Sequence, residues 1–262
     1  MSCKSDIPVN LLYTSLMTLD LLYVFVVGSI AGFINVNAGG GSFLTIPLLI
    51  FLGLPAVVAN GTNRVSTLVM ALTSIITFRR HGVSYMKFSS FLAIPAIFGA
   101  YIGARISLEL SPTLFKQILA ALMIVMLAFI LHKPKQAESN RVFGFWRNMI
   151  SFVGFFFVGI YGGFIQAGVG YFMIIILRSV HGFSLKEIST IRVTVVFFFL
   201  IIPIILFASQ GKINWAYAAA LAISTSFGGW LGTKWNVSHG DRGVKLILAF
   251  SLVILAVRLW KT

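Results

Sequence analysis

Asn37-Ala38-Gly39-Gly40-Gly41-Ser42-Phe43-Leu44 places three adjacent glycines within an apolar tract that extends from about residue 20 to 54. Each glycine in a helix interior costs about 1 kcal/mol relative to alanine, so we expect the helix to break at this motif. A break leaves backbone N–H and C=O groups without helical partners, and these groups must find partners inside the protein. The motif therefore predicts a buried helix break.

A second copy of this motif, Gln166-Ala167-Gly168-Val169-Gly170-Tyr171-Phe172-Met173, follows 129 positions later within an apolar tract at about 148–177. Recurrence at one fixed spacing indicates two copies of one structural unit. Two copies of a glycine-broken apolar unit are typical of secondary membrane transporters. Other landmarks recur at almost the same offset: Gly53 with Gly182, residues 62–65 with 190–193, residues 78–82 with 207–211, and Gly99 and Gly103 with Gly228 and Gly232.

Composition predicts an all-α integral membrane protein. The chain of 262 residues is 58% apolar and only 10% charged, and its mean hydropathy is +0.98. With the two broken tracts, we expect about eight hydrophobic segments in a single transmembrane domain, 1–262, with repeat 1 at about 20–132, a cytoplasmic linker at about 133–147 and repeat 2 at about 148–262. A spanning helix needs about 20 residues, and apolar stretches of about that length lie at roughly 57–78, 88–104, 113–131, 188–208, 213–231 and 243–260.

Loop charges bear on the topology of the two repeats. If each broken segment enters and leaves on one side of the membrane, the repeats are inverted; if it crosses fully, they are parallel. Lys and Arg accumulate in cytoplasmic loops. In the inverted arrangement the cytoplasmic loops 79–87, 132–147 and 234–245 carry +3, +3 and +2, and the outer loops 105–116 and 207–214 carry +1 each. The parallel arrangement places the third of these loops outside, so the charges favour inverted repeats.

The net charge of +14 does not indicate a nucleic-acid partner, because the basic residues gather in short loops and form no basic helix. The lipid bilayer is the expected environment, and the chain is expected to cross it several times. A single cysteine, Cys3, allows no internal disulfide and no cysteine metal cluster. The sequence after Met1 has no signal-peptide pattern. The histidines form no metal-ligand pair, so neither a metal nor another cofactor is expected.

Acidic residues are few, and none is expected in the middle of a span. This argues against a cationic substrate and leaves an acidic proton relay without obvious parts. We interpret Glu187 as a solvated loop residue, with a salt bridge or a gate as the alternative. Paired catalytic acids, a G-x-S-x-G elbow and a P-loop are missing, so no enzymatic activity is predicted.

Two arginines, Arg64 and Arg192, recur at equivalent positions inside apolar segments. The 14 residues from Val65 to Phe78 span about 21 Å, which places Arg64 about a third of the way into a 30 Å hydrocarbon core. A charge in the middle of a membrane helix costs at least about 2.5 kcal/mol, so we interpret both arginines as functional, with snorkelling to the interface as the alternative. Replacing Arg64 by alanine is then expected to abolish anion binding in a protein that still folds.

The residues before the two arginines predict an anion site. Residues 60–63 and 189–190 are of the types that cap helix N-termini, so we expect both helices to begin there with free N–H groups. Helix N-termini, bare glycine backbone and guanidinium groups together bind anions, and Asn35 adds a neutral donor. The candidate substrate ligands are Asn37, Gly39, Gly40, Gly41, Asn60, Thr62, Asn63, Arg64, Gln166, Gly168, Gly170, Thr190 and Arg192.

Small residues predict close helix contacts. Four G-x-x-x-G pairs allow two helix backbones to approach each other. We expect these contacts within the chain, with the seam of a homodimer as the alternative. The pairs are Gly28 with Gly32, Gly99 with Gly103, Gly159 with Gly163, and Gly228 with Gly232.

The ordered motifs resemble one family. Residues 31–49 (A-G-F-I-N-V-N-A-G-G-G-S-F-L-T-I-P-L-L), 53–65 (G-L-P-x-x-x-A-N-G-T-N-R-V) and 79–85 (R-R-H-G-V-S-Y) are similar to the TauE/SafE sulfite-exporter family, also called the toluene-sulfonate uptake permease family. The resemblance covers essentially the whole chain, and it implies a polytopic bacterial inner-membrane protein associated with transport of sulfite, sulfonates and related organic anions. The second repeat departs from the motif, because Val169 interrupts its glycines and Ile191 stands at the equivalent of Asn63.

The sequence therefore favours a secondary transporter that moves a small anion by alternating access, with one repeat rocking against the other around Arg64 and Arg192. An anion channel is one alternative, and a membrane-embedded assembly factor or enzyme without flux is another. Saturable counterflow separates a transporter from a channel. A coupling ion is a further candidate partner.

Overall fold

The computed structural model describes the backbone of residues 9–111, 113–115, 117–122 and 143–239, and the side chains between residues 21 and 238 within these ranges. The segments expected at 123–131 and 243–260 and most of the linker at 133–147 lie outside the described residues. Every regular element in the described ranges is a helix: α1 (Val9–Ala38), α2 (Ser42–Phe51), α3 (Ala56–Arg80), α4 (Met86–Glu109), α5 (Phe145–Phe164), α6 (Val169–His181), α7 (Leu185–Ser209) and α8 (Trp215–His239), with further helical residues in 113–122.

Four of the described helices are long and apolar enough to cross a membrane, namely α4, α5, α7 and the stretch Leu21–Ala38 of α1. α3 matches α7 in length, at 25 residues each, but its polar residues 60–64 make it less apolar. Large apolar side chains such as Phe98, Phe157 and Ile223 are exposed on the outside of the bundle. Such a surface suits contact with lipid chains, and the fold is that of a multi-pass, all-helical membrane protein.

Glycines occupy the points where the two longest apolar tracts stop being helical. α1 ends at Ala38, and the next residue, Gly39, has φ of +78°, which lies in the left-handed region that glycine adopts without steric cost. Gly168 has φ of +77° and stands directly before α6. We name the connection at residues 39–41 tip 1 and the connection at residues 165–168 tip 2. Both tips are buried.

α5 and α6 form a hairpin with tip 2 at its closed end. The Arg147 guanidinium near the start of α5 donates a hydrogen bond to the Val180 carbonyl near the end of α6. One turn further along α5, Ser151 Oγ lies 2.9 Å from His181 Nε2. The open end of the hairpin is thus held by these contacts, and tip 2 is inserted into the protein. α1 and α2 pack against each other on either side of tip 1.

α1, α3 and α8 run parallel to one another. Gly28 of α1 packs against Ser224, and Gly32, one turn later, packs against Thr225; near the end of α1, Asn37 donates to the Gly232 carbonyl at 3.2 Å. α3 follows α8 in the same sense, because the Asn214 N–H before α8 donates to Thr62 Oγ1 at 3.0 Å and the later residues of the two helices also meet. These three helices form one set.

α4, α5 and α7 form a second parallel set. Gly99 and Gly103 of α4 pack in order against the backbone of residues 156–160 and 160–164 of α5. Tyr85 at the start of α4 donates to Glu187 in the first turn of α7. The two sets are antiparallel, because Gly61 near the start of α3 packs against Phe207 near the end of α7.

The G-x-x-x-G prediction is confirmed as a contact within the chain. A Cβ added at any of the eight glycines would overlap or crowd atoms of the neighbouring helix, with α1 facing α8 and α4 facing α5. Both interfaces join the first half of the chain to the second. The glycines therefore permit the closest helix approaches in the described part of the protein.

Candidate functional site

Arg64 and Arg192 each bind the end of a broken helix in the other half of the chain. Arg192 Nη2 donates to the carbonyls of Asn35, at 2.7 Å, and Val36, both in the last turn of α1. Arg64 donates from both Nη atoms to carbonyls of the last turn of α5, at 2.6 to 3.3 Å (Gly162, Gly163 and Phe164). The carbonyls at a helix C-terminus carry partial negative charge, so a guanidinium there stabilises the helix end.

The predicted helix starts at residues 60–63 and 189–190 are wrong. α3 begins at Ala56, directly after Pro55, and α7 begins at Leu185, after the N-cap Ser184. The cause is local: Pro55 stands at the N-cap of α3, since proline is favoured at the start of a helix, and Ser184 forms a capping box with Glu187. The polar residues before each arginine therefore lie within the first two turns of their helices, where their side chains contact other elements.

Asn63 joins the two tips. Its Nδ2 donates to Ser42 Oγ at 3.0 Å, beside tip 1, and to Gln166 Oε1 at 3.3 Å, in tip 2. Its Oδ1 accepts from Thr45 Oγ1 at 2.5 Å. Because the Gln166 carbonyl oxygen is engaged by Asn63, the Gln166 Nε2 group points away from Asn63.

The remaining polar candidates bond to nearby backbone groups. Asn60 Nδ2 donates to the Phe164 carbonyl at 3.0 Å, next to Arg64. Asn37 links α1 to α8 through the Gly232 carbonyl, and Thr62 accepts from the backbone before α8. Thr190 Oγ1 donates to a carbonyl one turn earlier in its own helix, at 3.0 Å. The first three side chains thus link separate elements, whereas Thr190 bonds within its own helix, and none of the four lines the cavity described below.

Tip 1 touches the first turn of α6 where two glycines meet. A Cβ added at Gly39 would overlap Arg192 Nη1 and lie 2.5 Å from the Gly170 Cα, and one added at Gly170 would overlap Gly39 in return. Gly40 faces the ring of Tyr171, and Gly41 lies against the α1 backbone. Glycine is required at residues 39 and 170 because no side chain fits where the two backbones and a guanidinium meet.

A small cavity lies beside this glycine contact. The volume open to the centre of a water-sized sphere is about 10 Å³, which is about what one water molecule needs. The lining combines polar groups with apolar side chains, and no carboxylate of the described residues belongs to it. The lining residues are Asn35, Ser42, Thr67, Met70, Gln166, Val169, Gly170, Arg192, Val193 and Val196.

Three buried N–H donor groups of the cavity lining have no hydrogen-bond partner in the described part of the chain: Arg192 Nε, Arg192 Nη1 and Gln166 Nε2. Both side chains are only 2% exposed. Leaving buried donors unpaired is unfavourable, and for a charged group more so. A cavity with spare donors, one positive charge and no acid is chemically suited to an anion.

Arg64 differs from Arg192 in how many of its N–H groups lack a partner among the described residues. Both of its Nη groups are engaged, and only Nε lacks a partner among the described residues. Its guanidinium carbon lies 4.7 Å from the centre of the Phe207 ring, a cation–π contact. Arg64 is 0% exposed and does not line the cavity. The fold therefore uses Arg64 to hold a helix end, contrary to the expectation that the two arginines act alike.

Glu187 is buried, at 5% exposure, so its interpretation as a solvated loop residue is wrong. One carboxylate oxygen accepts from the Ser184 N–H at 2.8 Å and from Ser184 Oγ at 2.9 Å. The other accepts from the Tyr85 hydroxyl at 2.5 Å. The signal was present in the sequence, because Ser184-Leu-Lys-Glu187 matches the S-x-x-E capping box.

Sequence reasoning missed three polar groups near the tips. Ser42 and Thr67 line the cavity, and the hydroxyl of Tyr171 is buried without a partner in the described residues. Tyr171 directly follows Gly170 and stands 129 positions after Ser42. The repeat offset could therefore have pointed to both residues.

Comparison with known proteins gives a consistent result. A family model described as sulfite exporter TauE/SafE matches residues 24–259. A probable membrane transporter protein of Haemophilus influenzae is 27% identical over 243 residues, covering 89% of this chain and 93% of the relative. The probable membrane transporter protein YfcA of Escherichia coli is 25% identical, covering 90% and 88%. No solved structure gives a significant match.

Proposed function

The chain belongs to the sulfite exporter TauE/SafE family, and on that premise we propose that it is a secondary transporter that carries a small anion across the cell membrane. The proposed substrates are sulfite, sulfonates and related organic anions. Its relatives of nearly full length are described as probable membrane transporters, which supports transport as the activity. The nature of the substrate is proposed from the site.

The spare donors of Arg192 carry this proposal. Two N–H groups of one guanidinium and the amide of Gln166 meet at a cavity without any acid in its lining. An anion that accepts these hydrogen bonds would satisfy all three donors and neutralise the buried charge. The cavity holds about one water molecule in this state, so a substrate of four or more heavy atoms requires the two tips to move apart.

Thermal stabilisation and uptake by the purified protein test the proposal. A ligand at about 100 times its dissociation constant should stabilise the fold by roughly 2.7 kcal/mol. The panel is sulfite, thiosulfate, methanesulfonate, sulfate and acetate, with choline as a cationic control. We expect Gln166→Met to lower the affinity about fivefold, whereas the matched exposed variant Gln210→Met leaves it unchanged. Stabilisation by choline, or by no anion of the panel, contradicts an anion site.

We further propose inverted repeats, about 20–132 and 148–262, each with its glycine-broken first segment. The helix directions support this, because α1, α3 and α8 oppose α5, α7 and α4, their respective counterparts. The helix packing also corresponds between the halves. α1 packs on α8, and their counterparts α5 and α4 pack on each other in the same way. Such an arrangement puts the substrate site where the repeats meet.

The distribution of basic residues predicts which end of the bundle faces the cytoplasm. The end of the bundle that carries the Tyr85–Glu187 contact also carries most of the described basic residues, and we propose that it faces the cytoplasm. At the opposite end Arg105, Glu109 and Lys212 are found. The basic residues at the proposed cytoplasmic end include Arg79, Arg80, Lys87, Arg147, Arg178 and Lys186.

Alternating access would proceed by breaking contacts between the halves at one end at a time. At the proposed cytoplasmic end, the Tyr85 hydroxyl of the first half holds the Glu187 carboxylate of the second. At the outer end, the Asn214 backbone N–H of the second half holds the Thr62 hydroxyl of the first. Uptake into vesicles preloaded with unlabelled anion separates this mechanism from a channel, because only a transporter shows saturable counterflow.

A further inference from the structure

The Tyr171 hydroxyl is a buried hydrogen-bond donor, and Tyr171 is not among the residues that line the cavity. It lies against Gly40 and has no hydrogen-bond partner in the described part of the chain. A phenol removed from water without a partner is unfavourable, so the arrangement calls for a partner that the chain does not itself supply.

Tyr171 packs with residues of the proposed outer end of the bundle. The aliphatic wall of the cavity belongs to an apolar cluster that extends to Tyr85 and Phe183, at the proposed cytoplasmic end. Tyr171 packs instead in the cluster that contains Leu54, Phe207 and Ile213, at the outer end. The aliphatic residues of the cavity and Tyr171 thus pack in different apolar clusters.

Open space next to Tyr171 is provided by the missing side chain of Gly40. A Cβ at this position would lie 3.3 Å from Tyr171 Cε2 and 3.8 Å from its hydroxyl oxygen. Arg192 Nη1 adjoins the preceding residue, Gly39, and has no partner of its own among the described residues. Arg192 and the Tyr171 phenol are near enough to interact electrostatically. The Tyr171 hydroxyl and Arg192 Nη1 thus adjoin two consecutive residues of tip 1, Gly40 and Gly39.

We propose that the Tyr171 hydroxyl is a substrate ligand in a second binding position, on the outer side of the glycine contact, with Arg192 shared between this position and the cavity. The inference rests on the proposed anion transport and adds the ligand class: an oxyanion, whose oxygen accepts the phenol O–H. The anion then exchanges partners around Arg192 as the tips separate, without leaving the guanidinium.

Sided uptake by Tyr171→Phe in proteoliposomes tests this inference. The probes are radiolabelled sulfite and methanesulfonate, offered in turn to the outer and to the cytoplasmic face. We expect the half-saturating concentration to rise about tenfold for substrate offered from outside and less than twofold from the cytoplasmic side. Melting temperature should not fall, because the deleted hydroxyl has no partner in the described residues. Gly40→Ala should also raise the half-saturating concentration mainly from outside, because its methyl group fills the space beside the hydroxyl. The exposed Tyr101→Phe is the control and should resemble wild type.

Each other outcome has a defined meaning. Unchanged half-saturation from outside, an equal rise from both sides, or a loss of thermal stability without a change in transport would overturn the role of Tyr171 and leave anion transport intact. A wild-type protein that neither binds nor transports an oxyanion would overturn the proposed function, and the second position with it.

Discussion

Arg64 and Arg192 occupy equivalent places in the two halves, yet their surroundings assign them different tasks. Arg64 has both Nη groups on carbonyls of α5 and its face on Phe207. Arg192 holds the end of α1 with Nη2 and leaves Nε and Nη1 unpaired at the cavity. Each half of the chain thus places a guanidinium at a helix end in the other half. Arg64 keeps only Nε without a partner among the described residues and does not line the cavity, whereas Arg192 lines the cavity and has two such groups.

The difference has a structural origin in the tips. Tip 1 has three consecutive glycines, and Gly39 brings its backbone against Arg192 Nη1. Tip 2 places Ile165, Gln166 and Ala167 before its glycine, and its preceding carbonyls engage Arg64 more completely. The departure of the second repeat from the family motif is therefore part of the asymmetry, because it changes what each arginine meets in the opposite half.

Removal of Arg64 should have the largest effect, and on stability. Arg64→Ala leaves the carbonyls at the end of α5 without their charged donor and opens a void in the core. We expect a loss of about 3–5 kcal/mol, because each buried carbonyl left without a donor costs about 1–3 kcal/mol. Melting temperature and the monodisperse fraction in detergent measure it, with the exposed Arg105→Ala as the matched control. A stable Arg64→Ala protein that had lost anion binding would reverse the roles given to the two arginines.

Shortening Arg192 should affect binding more than folding. Arg192→Lys keeps the positive charge but loses the planar fork, so a single ammonium must choose between the α1 carbonyls and the ligand. We expect at least a tenfold weaker anion affinity, about 1.4 kcal/mol, measured by titration calorimetry. Arg64→Lys, as far as it folds, should bind anions within twofold of wild type. Equal losses in the two lysine variants would show that the halves share the ligand.

Much of the helical framework could be predicted from the sequence. Three predicted apolar segments, at 57–78, 88–104 and 188–208, lie within α3, α4 and α7, and a fourth, at 213–231, overlaps α8 from Trp215 onward, because apolar length and glycine or proline breaks are local signals. The partners of the arginines could not be predicted, since backbone carbonyls leave no mark in the sequence. Burial alone identified Arg64 as important, and burial does not distinguish a helix clamp from a ligand.

The sequence predicted which segments of the chain meet at the candidate site, but not which side chains line the cavity. The two glycine motifs, Asn63 and Gln166 do meet in the structure. Thr190, by contrast, bonds to its own helix, as hydroxyls inside helices commonly do. Ser42 and Thr67 were missed because a single hydroxyl in an apolar segment carries no distinctive pattern. Which polar residues face a cavity depends on helix rotation, and the low amphipathicity of membrane helices does not encode it.

Loss of the Tyr85 hydroxyl should favour conformations in which the cavity is open to the cytoplasmic side. A hydrogen bond to a charged group contributes about 1.5–3 kcal/mol, so Tyr85→Phe should expose the cavity from the cytoplasmic side at least tenfold more often. The measurement is the labelling rate of Thr67→Cys by an impermeant maleimide in inside-out vesicles, in a Cys3→Ser background. Tyr101→Phe is the control. A rate that rises equally from both sides would mean general loosening instead of an opened gate.

Thr190→Val should have the smallest effect. Its hydroxyl is satisfied within α7 and lies away from the cavity, so stability should change by less than about 0.5 kcal/mol. Anion affinity should stay within twofold of wild type in the same calorimetric titration. A tenfold loss would restore Thr190 as a ligand and would require α7 to rotate in the substrate-bound state.

The most direct test of the division between the two arginines is an experimental structure with selenite, an electron-rich analogue of sulfite, located by its anomalous scattering. We predict an anomalous peak within hydrogen-bonding distance of Arg192 Nη1, with Arg64 still bound to the carbonyls of Gly162 and Gly163. A peak at Arg64, with those carbonyl contacts broken, would contradict the account, and so would a protein interior without any bound selenite.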